Sequence, residues 1–225
     1  MAAGDRADPR CRVALQTLCR TYWYPLYAYV RQKGYTVQDA EDLTQSFFAF
    51  LLEKDRLGSL VRDKGKFRSF LLTALNHFVT DQWKRASAAR RGGGRTVLSL
   101  DMSDAEARFL QEPVDRITPE VLFEQNWAVT LLNTVFDRLQ EEQRAQGKAE
   151  QFTQLRFCLT GRSSEVPYAQ LGERLGATEA SVKVLVLRLR RRYRELLQEE
   201  ISHTVADPVE IKDEIRHLFQ ALAGP

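Results

Sequence analysis

The sequence predicts an all-α protein: two helical domains joined by an acidic linker, followed by a C-terminal amphipathic helix. Three observations predict it. Apolar residues recur at three- and four-residue intervals along most of the chain, the repeat that gathers them on one face of a helix. No stretch shows sustained strand alternation. Helix start and stop signals bracket the periodic segments: Thr36 with Asp39 in a capping-box position, Thr118-Pro119-Glu120 as N-cap, N1 proline and first-turn acid, and breaks at Gly34, Gly147 and Gly161.

The first domain spans 11–92. Val13 to Arg31 carries Leu15, Leu18, Tyr22, Leu26 and Tyr29 at helical spacing, with Pro25 predicting a kink or a boundary. Val37 to Leu52 follows, with Ala40, Leu43, Phe47 and Leu51 on one face. Phe48 and Leu52 flank Glu41 and Gln45 beside that stripe; periodicity alone leaves open whether they are core or an exposed docking surface. Lys54 to Lys66, with Gly58 and Gly65, reads as a loop. Phe67 to Ala89 is helical, with Phe67, Phe70, Leu71, Ala74, Leu75, Phe78 and Val79 forming a broad apolar face. It ends in Trp83 and a run containing Lys84, Arg85, Arg90, Arg91 and Arg95 with no acid. Gly92-Gly93-Gly94 follows no strand and precedes no Lys-Ser/Thr, so it marks a boundary and not a phosphate loop.

Residues 93–117 read as a flexible linker with at most short helical turns. Asp101 to Glu124 holds seven acids against Arg108 and Arg116. The second domain, 118–202, opens with a helix to about Gln146 whose stripe is Phe123, Trp127, Leu131, Val135 and Leu139, followed by a shorter one over Ala149–Leu159. Lys183 to Arg194 then holds six basic residues and no acid. Basic blocks on either side of an acidic one point to a polyanionic partner touched at two places. In the extension, 203–225, Asp207-Pro208-Val209-Glu210 starts a helix with Ile211, Ile215, Leu218, Phe219 and Leu222 as its stripe. This helix is expected to pack on the second domain, or else to mask a binding surface.

Hydrophobic residues at 44% and charged ones at 28% are ordinary for a soluble globular protein. Cys11, Cys19 and Cys158 lack metal-binding spacing and His77, His203 and His217 are scattered, so no metal, cofactor or disulfide framework is expected. A polar N-terminus and the lack of any long apolar run predict a cytoplasmic protein with no membrane partner.

The segment Tyr168 to Arg192 has the pattern of a DNA-binding helix-turn-helix. Taking Gly172 as the residue where two helices cross, Gly176 stands four residues on, Val182 ten and Leu185 thirteen. The motif needs a small crossing residue, a glycine in the turn and apolar residues on the inner face of the second helix. Tyr168, Leu171 and Leu175 supply the first helix's core face, and Thr178 caps the second. Glu179, Ala180, Lys183, Val184, Leu187 and Arg188 then face outward, with Ser181 in the first turn. Lys183 and Arg188 suit phosphate or guanine, Ala180 and Val184 suit thymine methyls, and Leu187 suits a base methyl or another protein. Arg190, Arg191, Arg192 and Arg194 follow on the same helix, placed for phosphates.

The run Tyr168-Ala-Gln-Leu-Gly-Glu-Arg-Leu-Gly-Ala-Thr-Glu-Ala-Ser-Val-Lys183 closely resembles the promoter −35-binding region 4 of the extracytoplasmic-function branch of sigma-70 family factors. Asp39-Ala-Glu-Asp-Leu-Thr-Gln45 resembles that branch's region 2 helix, and Phe67-Arg-Ser-Phe-Leu71 with Asn76 and Asp81 resembles the helix that opens the −10 element. The likeness covers roughly residues 11 to 200. It implies a non-enzymatic sigma factor that uses no cofactor and directs core RNA polymerase to promoters. Its partners would be the β′ clamp helices, double-stranded promoter DNA, the melted −10 strand, and either an anti-sigma factor or the chain's own C-terminal helix. By position, Asp39, Glu41, Asp42, Leu43, Gln45 and Phe48 would meet the clamp. Lys64, Lys66, Phe67, Arg68, Phe70, Asn76, Trp83, Lys84 and Arg85 would serve the −10 element. The acidic linker would thread toward the RNA exit path. Ser46 replaces the acid usual after Gln45, Phe70 stands where tryptophan is common, and Leu185 and Leu187 replace residues commonly polar or basic.

Two other readings compete. A helix-turn-helix regulator working without polymerase would not require the Asp39–Leu52 helix. An enzyme using Asp39, Glu41 and Asp42 as a metal cluster fares worse, because successive acids scatter over the faces of a helix and no His or Cys converges on them.

Overall fold

The computed structural model describes residues 9–53, 67–88, 104–114, 116–159, 166–205 and 207–224; every regular element among them is helical. None of these helices is long and apolar enough to cross a membrane. The chain divides into two compact units, Met1–Thr130 with Ser202–Pro225, and Leu131–Ile201.

In the first unit α1 (Pro9–Gln32) packs against α2 (Val37–Glu53) and against the short α4 (Ala105–Phe109). Thr21 to Val30 are all buried, so this half of α1 is enclosed on every side and forms the centre of the unit. The helix runs on through Pro25, where the sequence predicts a kink or boundary. A proline costs one helical hydrogen bond, and the burial around it outweighs that loss. Tyrosines solve the polar side of this burial by sending their hydroxyls to the rim. Tyr24 donates to Glu112 at 2.8 Å, Tyr27 to Glu106 at 2.6 Å and Tyr29 to Asn76 at 3.0 Å. Burial pushes the Tyr22, Tyr24 and Tyr27 hydroxyls up, so that all three stay protonated.

Thr36 caps α2 as the capping-box pattern predicts, accepting from the Asp39 amide at 3.1 Å while its hydroxyl donates to the Asp39 carboxylate at 2.7 Å. Ala40, Thr44, Phe47, Phe48 and Leu51 of α2 are buried, and Phe47 meets Phe78 of α3 (Phe67–Ala88).

The acidic stretch departs from the expected flexible linker over its described residues, 104–114 and 116–117. Glu106 takes a two-pronged ion pair from Arg31 at 2.9 and 2.7 Å, and Gln32 donates to the carbonyls of Val114 and Ile117. Phe109 is buried beneath the Arg31 guanidinium, and Arg108 lies over the Tyr24 ring. The acids are thus used to fasten the segment to α1. The arginine run and glycines from 89 to 103 lie outside the described residues.

The C-terminal helix α9 (Ile211–Ala223) belongs to this same unit, not to the helix-turn-helix unit on which it was expected to pack. Asp207 caps the preceding 3-10 turn through the Val209 amide, as its sequence predicts. Leu218 is fully buried, while Phe219 stays exposed. Its decisive contacts are polar: Glu214 pairs with Arg68, and His217 lies 3.0 Å from Glu124 on α5 (Pro119–Ala145).

The second unit consists of the rest of α5, α6 (Ala149–Leu155) with a 3-10 turn at Arg156–Leu159, α7 (Tyr168–Leu175) and α8 (Glu179–Ser202) as far as Ile201. Its core includes Val135, Leu139, Phe152, Leu155, Leu171, Val182, Val186, Leu189, Leu196 and Leu197.

Candidate nucleic-acid interface

Helices α7 and α8 meet through a turn that two glycines make possible. Gly176 sits at φ +60° and ψ +33°, the left-handed region that side-chain-bearing residues enter only at a cost, and ends α7. Gly172 is buried in α7, and a Cβ there would lie 2.5 Å from the Ala177 carbonyl oxygen. Only a residue without a side chain lets the turn fold back so closely. The Ala177 amide closes it by donating to the Gly172 carbonyl at 2.8 Å. Thr178 begins α8, accepting from the Ser181 amide at 3.2 Å, and their hydroxyls share a 2.9 Å hydrogen bond.

Helix α8 turns Val182, Val186 and Leu189 inward, with Leu185 half-buried. The sequence spacing singles out Leu185; Val186 fills the deeper position because it lies four residues after Val182 and almost directly beneath it. Glu179, Ala180, Lys183, Val184, Leu187 and Arg188 are all exposed, as predicted, and so is Ser181.

Six basic residues line α8, and tertiary contacts separate them. Arg192 is engaged: its guanidinium grips both oxygens of Glu142 at 2.9 and 2.7 Å and also reaches Glu195 and Glu199. Hydrogen bonding to Glu142 raises its pKa further, and the same contact lowers that of Glu142. The expectation that Arg192 serves phosphates is therefore corrected. Arg190 bends back to donate twice to the Cys158 carbonyl, at 3.1 and 2.8 Å, so it too has a structural role. Lys183 and Arg191 make exposed pairs within α8, with Glu179 and Glu195, which cost little to exchange for another anion. Arg188 and Arg194 make no ion pair among the described residues.

The residues assigned by resemblance to the −10 element are not brought together in this way. Arg68 is 1% exposed, bonded to Glu124 at 2.7 Å, paired with Glu214 and stacked over Trp127, which corrects its expected place on a DNA-facing surface. Burial lowers its pKa, and the Glu124 carboxylate opposes that shift. Phe67 packs edge-on against Tyr22 and is half-buried, as is Phe70. Asn76 accepts from Tyr29 and, at 2.7 Å, from Lys33. Lys64 and Lys66 lie outside the described residues, as do the side chains of Trp83, Lys84 and Arg85.

On α2, Asp39 and Asp42 are exposed and Glu41, Leu43 and Gln45 partly so. Phe48 is 1% exposed, which settles the open question of whether it is core and removes it from the expected docking stripe. The Arg68–Glu124–Glu214 cluster was not legible beforehand, since its members stand 56 and more residues apart with no spacing to link them. Comparison with protein-family models, with curated proteins and with solved structures finds no match to this chain.

Proposed function

We propose that this protein binds DNA through the α7–α8 helix-turn-helix and that it works by binding alone, without catalysis or cofactor. The observation that carries the reading is the glycine-built turn, which places one long helix with a cationic outer face beyond a buried crossing point. A two-domain sigma factor of the extracytoplasmic-function branch, acting in the cytoplasm on core RNA polymerase, is the particular protein we infer. Support for the polymerase half comes from the capped α2 helix, whose Asp39 and Asp42 stand exposed beside Leu43 and Gln45 in the order the resemblance requires. Buried Arg68 and Phe48 favour the second reading, a helix-turn-helix regulator that does not dock on polymerase.

One experiment distinguishes them. The purified full chain is mixed with core RNA polymerase, passed over a sizing column and assayed for transcription from genomic fragments. A sigma factor co-elutes and starts transcription at discrete sites. Specific DNA binding without a core complex selects the regulator, and absence of both overturns the DNA-binding reading altogether.

A further inference from the structure

On α8, Ala180, Val184, Leu187 and Arg191 succeed one another at intervals of four, three and four residues, so they form a single line along the outermost ridge of the helix. Two of the four are branched apolar side chains left in solvent: Val184 is 46% exposed and Leu187 67%. Both sit in the midst of cations. Lys183 and Arg194 flank the ridge on one side and Arg188 on the other, and Arg191 continues it. A ridge that is apolar at its crest and cationic at its margins fits a surface with the opposite layout, apolar at its floor and anionic at its edges. The major groove of duplex DNA has that layout where thymines occur, because each thymine places a C5-methyl group on the groove floor between two phosphate backbones.

We infer that Val184 and Leu187 are specificity-determining residues that read thymine C5-methyl groups, with Ala180 small enough to let the helix approach them. This rests on the helix-turn-helix being a DNA-binding element but not on any polymerase partner. Lys183, Arg188, Arg191 and Arg194 hold the backbones on either side, and so set affinity without choosing the base. Closing an apolar side chain over a methyl removes both from water, an effect of roughly three- to fivefold in affinity for each methyl covered.

The test uses deoxyuridine, which pairs as thymidine does but lacks the methyl. The tightest duplex that the full chain selects from a random-sequence pool is remade with deoxyuridine at every thymidine, and both are titrated by fluorescence anisotropy at one salt concentration. The wild type is expected to bind the deoxyuridine duplex roughly tenfold more weakly, the product of two covered methyls. The double variant Val184→Ala, Leu187→Ala is expected to bind the thymidine duplex about tenfold more weakly and to tell the two duplexes apart by less than twofold. Both side chains are exposed, so its thermal melting curve should match the wild type's. Equal wild-type binding to the two duplexes overturns the inference, as does a selected site lacking thymine. A methyl preference that survives in the double variant also overturns it, since the methyl is then sensed elsewhere or through DNA shape. Failure to select any duplex refutes DNA binding itself, a different result.

Discussion

Replacing Gly172 by alanine tests the geometry on which the interface rests. The added methyl would lie 2.5 Å from the Ala177 carbonyl oxygen and 3.5 Å from the Glu179 amide nitrogen and Thr178 carbonyl carbon. All three are backbone atoms of the turn and of the start of α8, so no flexible side chain can swing aside. An ordinary carbon–oxygen contact is about 3.3 Å, which forces a separation of about 0.8 Å. Overpacking of that kind costs about 1–3 kcal/mol. The opening also weakens the Ala177-to-Gly172 hydrogen bond, worth about 1 kcal/mol. Alanine returns about 1 kcal/mol through its better helix propensity. The expected net loss is about 2 kcal/mol. Urea unfolding should show it as a midpoint lowered by about 1 M, and hydrogen exchange should place it at the amides of α7 and of the first turn of α8. Gly176→Ala provides the comparison: nothing lies within 4 Å of its Cβ, so only the positive φ is penalised, at about 1 kcal/mol. A Gly172→Ala protein as stable as the wild type, or more so, would refute the reasoning, because that is how a glycine on an open helix face behaves.

Other sites yield sharp expectations. Arg68→Met should cost about 3–5 kcal/mol, because it leaves Glu214 buried without its cation; adding Glu214→Leu should restore more than half of the loss in the same urea titration. Hydrogen bonds from Arg31 hold the Glu106 carboxyl below its ordinary 4.5, so its contribution to stability is complete above that pH and disappears as pH falls through the depressed value. Glu106→Gln should accordingly flatten the acid limb of a plot of unfolding free energy against pH; an unchanged limb would rule out the contribution. Arg191, 78% exposed in its side chain, should act only on phosphate, so that Arg191→Ala weakens binding to every DNA sequence and lowers the log–log salt slope by about 1. A loss confined to the selected duplex would show it to be a base reader instead.

Features that depend on residues near one another in the chain were legible from spacing. The helix-turn-helix needs only a crossing glycine, a turn glycine and an apolar inner face within about two dozen positions. Thr36 with Asp39 and Asp207 with Val209 are likewise caps formed within three residues. The six outward residues of α8 were readable for the same reason, because a helix converts sequence intervals directly into directions.

Charge was where local reading failed. Six cations on α8 look equivalent in sequence, yet Arg192 is held by Glu142, fifty residues earlier, and Arg190 by the carbonyl of Cys158. The acids of 104–117 look like a solvated spacer, yet Glu106 and Glu112 meet Arg31 and the α1 tyrosines. Arg68 and Phe48 sit at motif positions suggestive of exposure and are among the most buried side chains of their unit.

What the sequence by itself determined is the helical class, the caps and the outward face of α8, because periodicity and backbone preference act over a few residues. Only the tertiary structure decided which charges remain available, which segment the acidic stretch fastens to and which unit receives α9. Those outcomes depend on groups distant in the chain meeting where water is excluded. An ion pair carries no period, and a buried arginine is chosen by the carboxylates that the fold delivers to it.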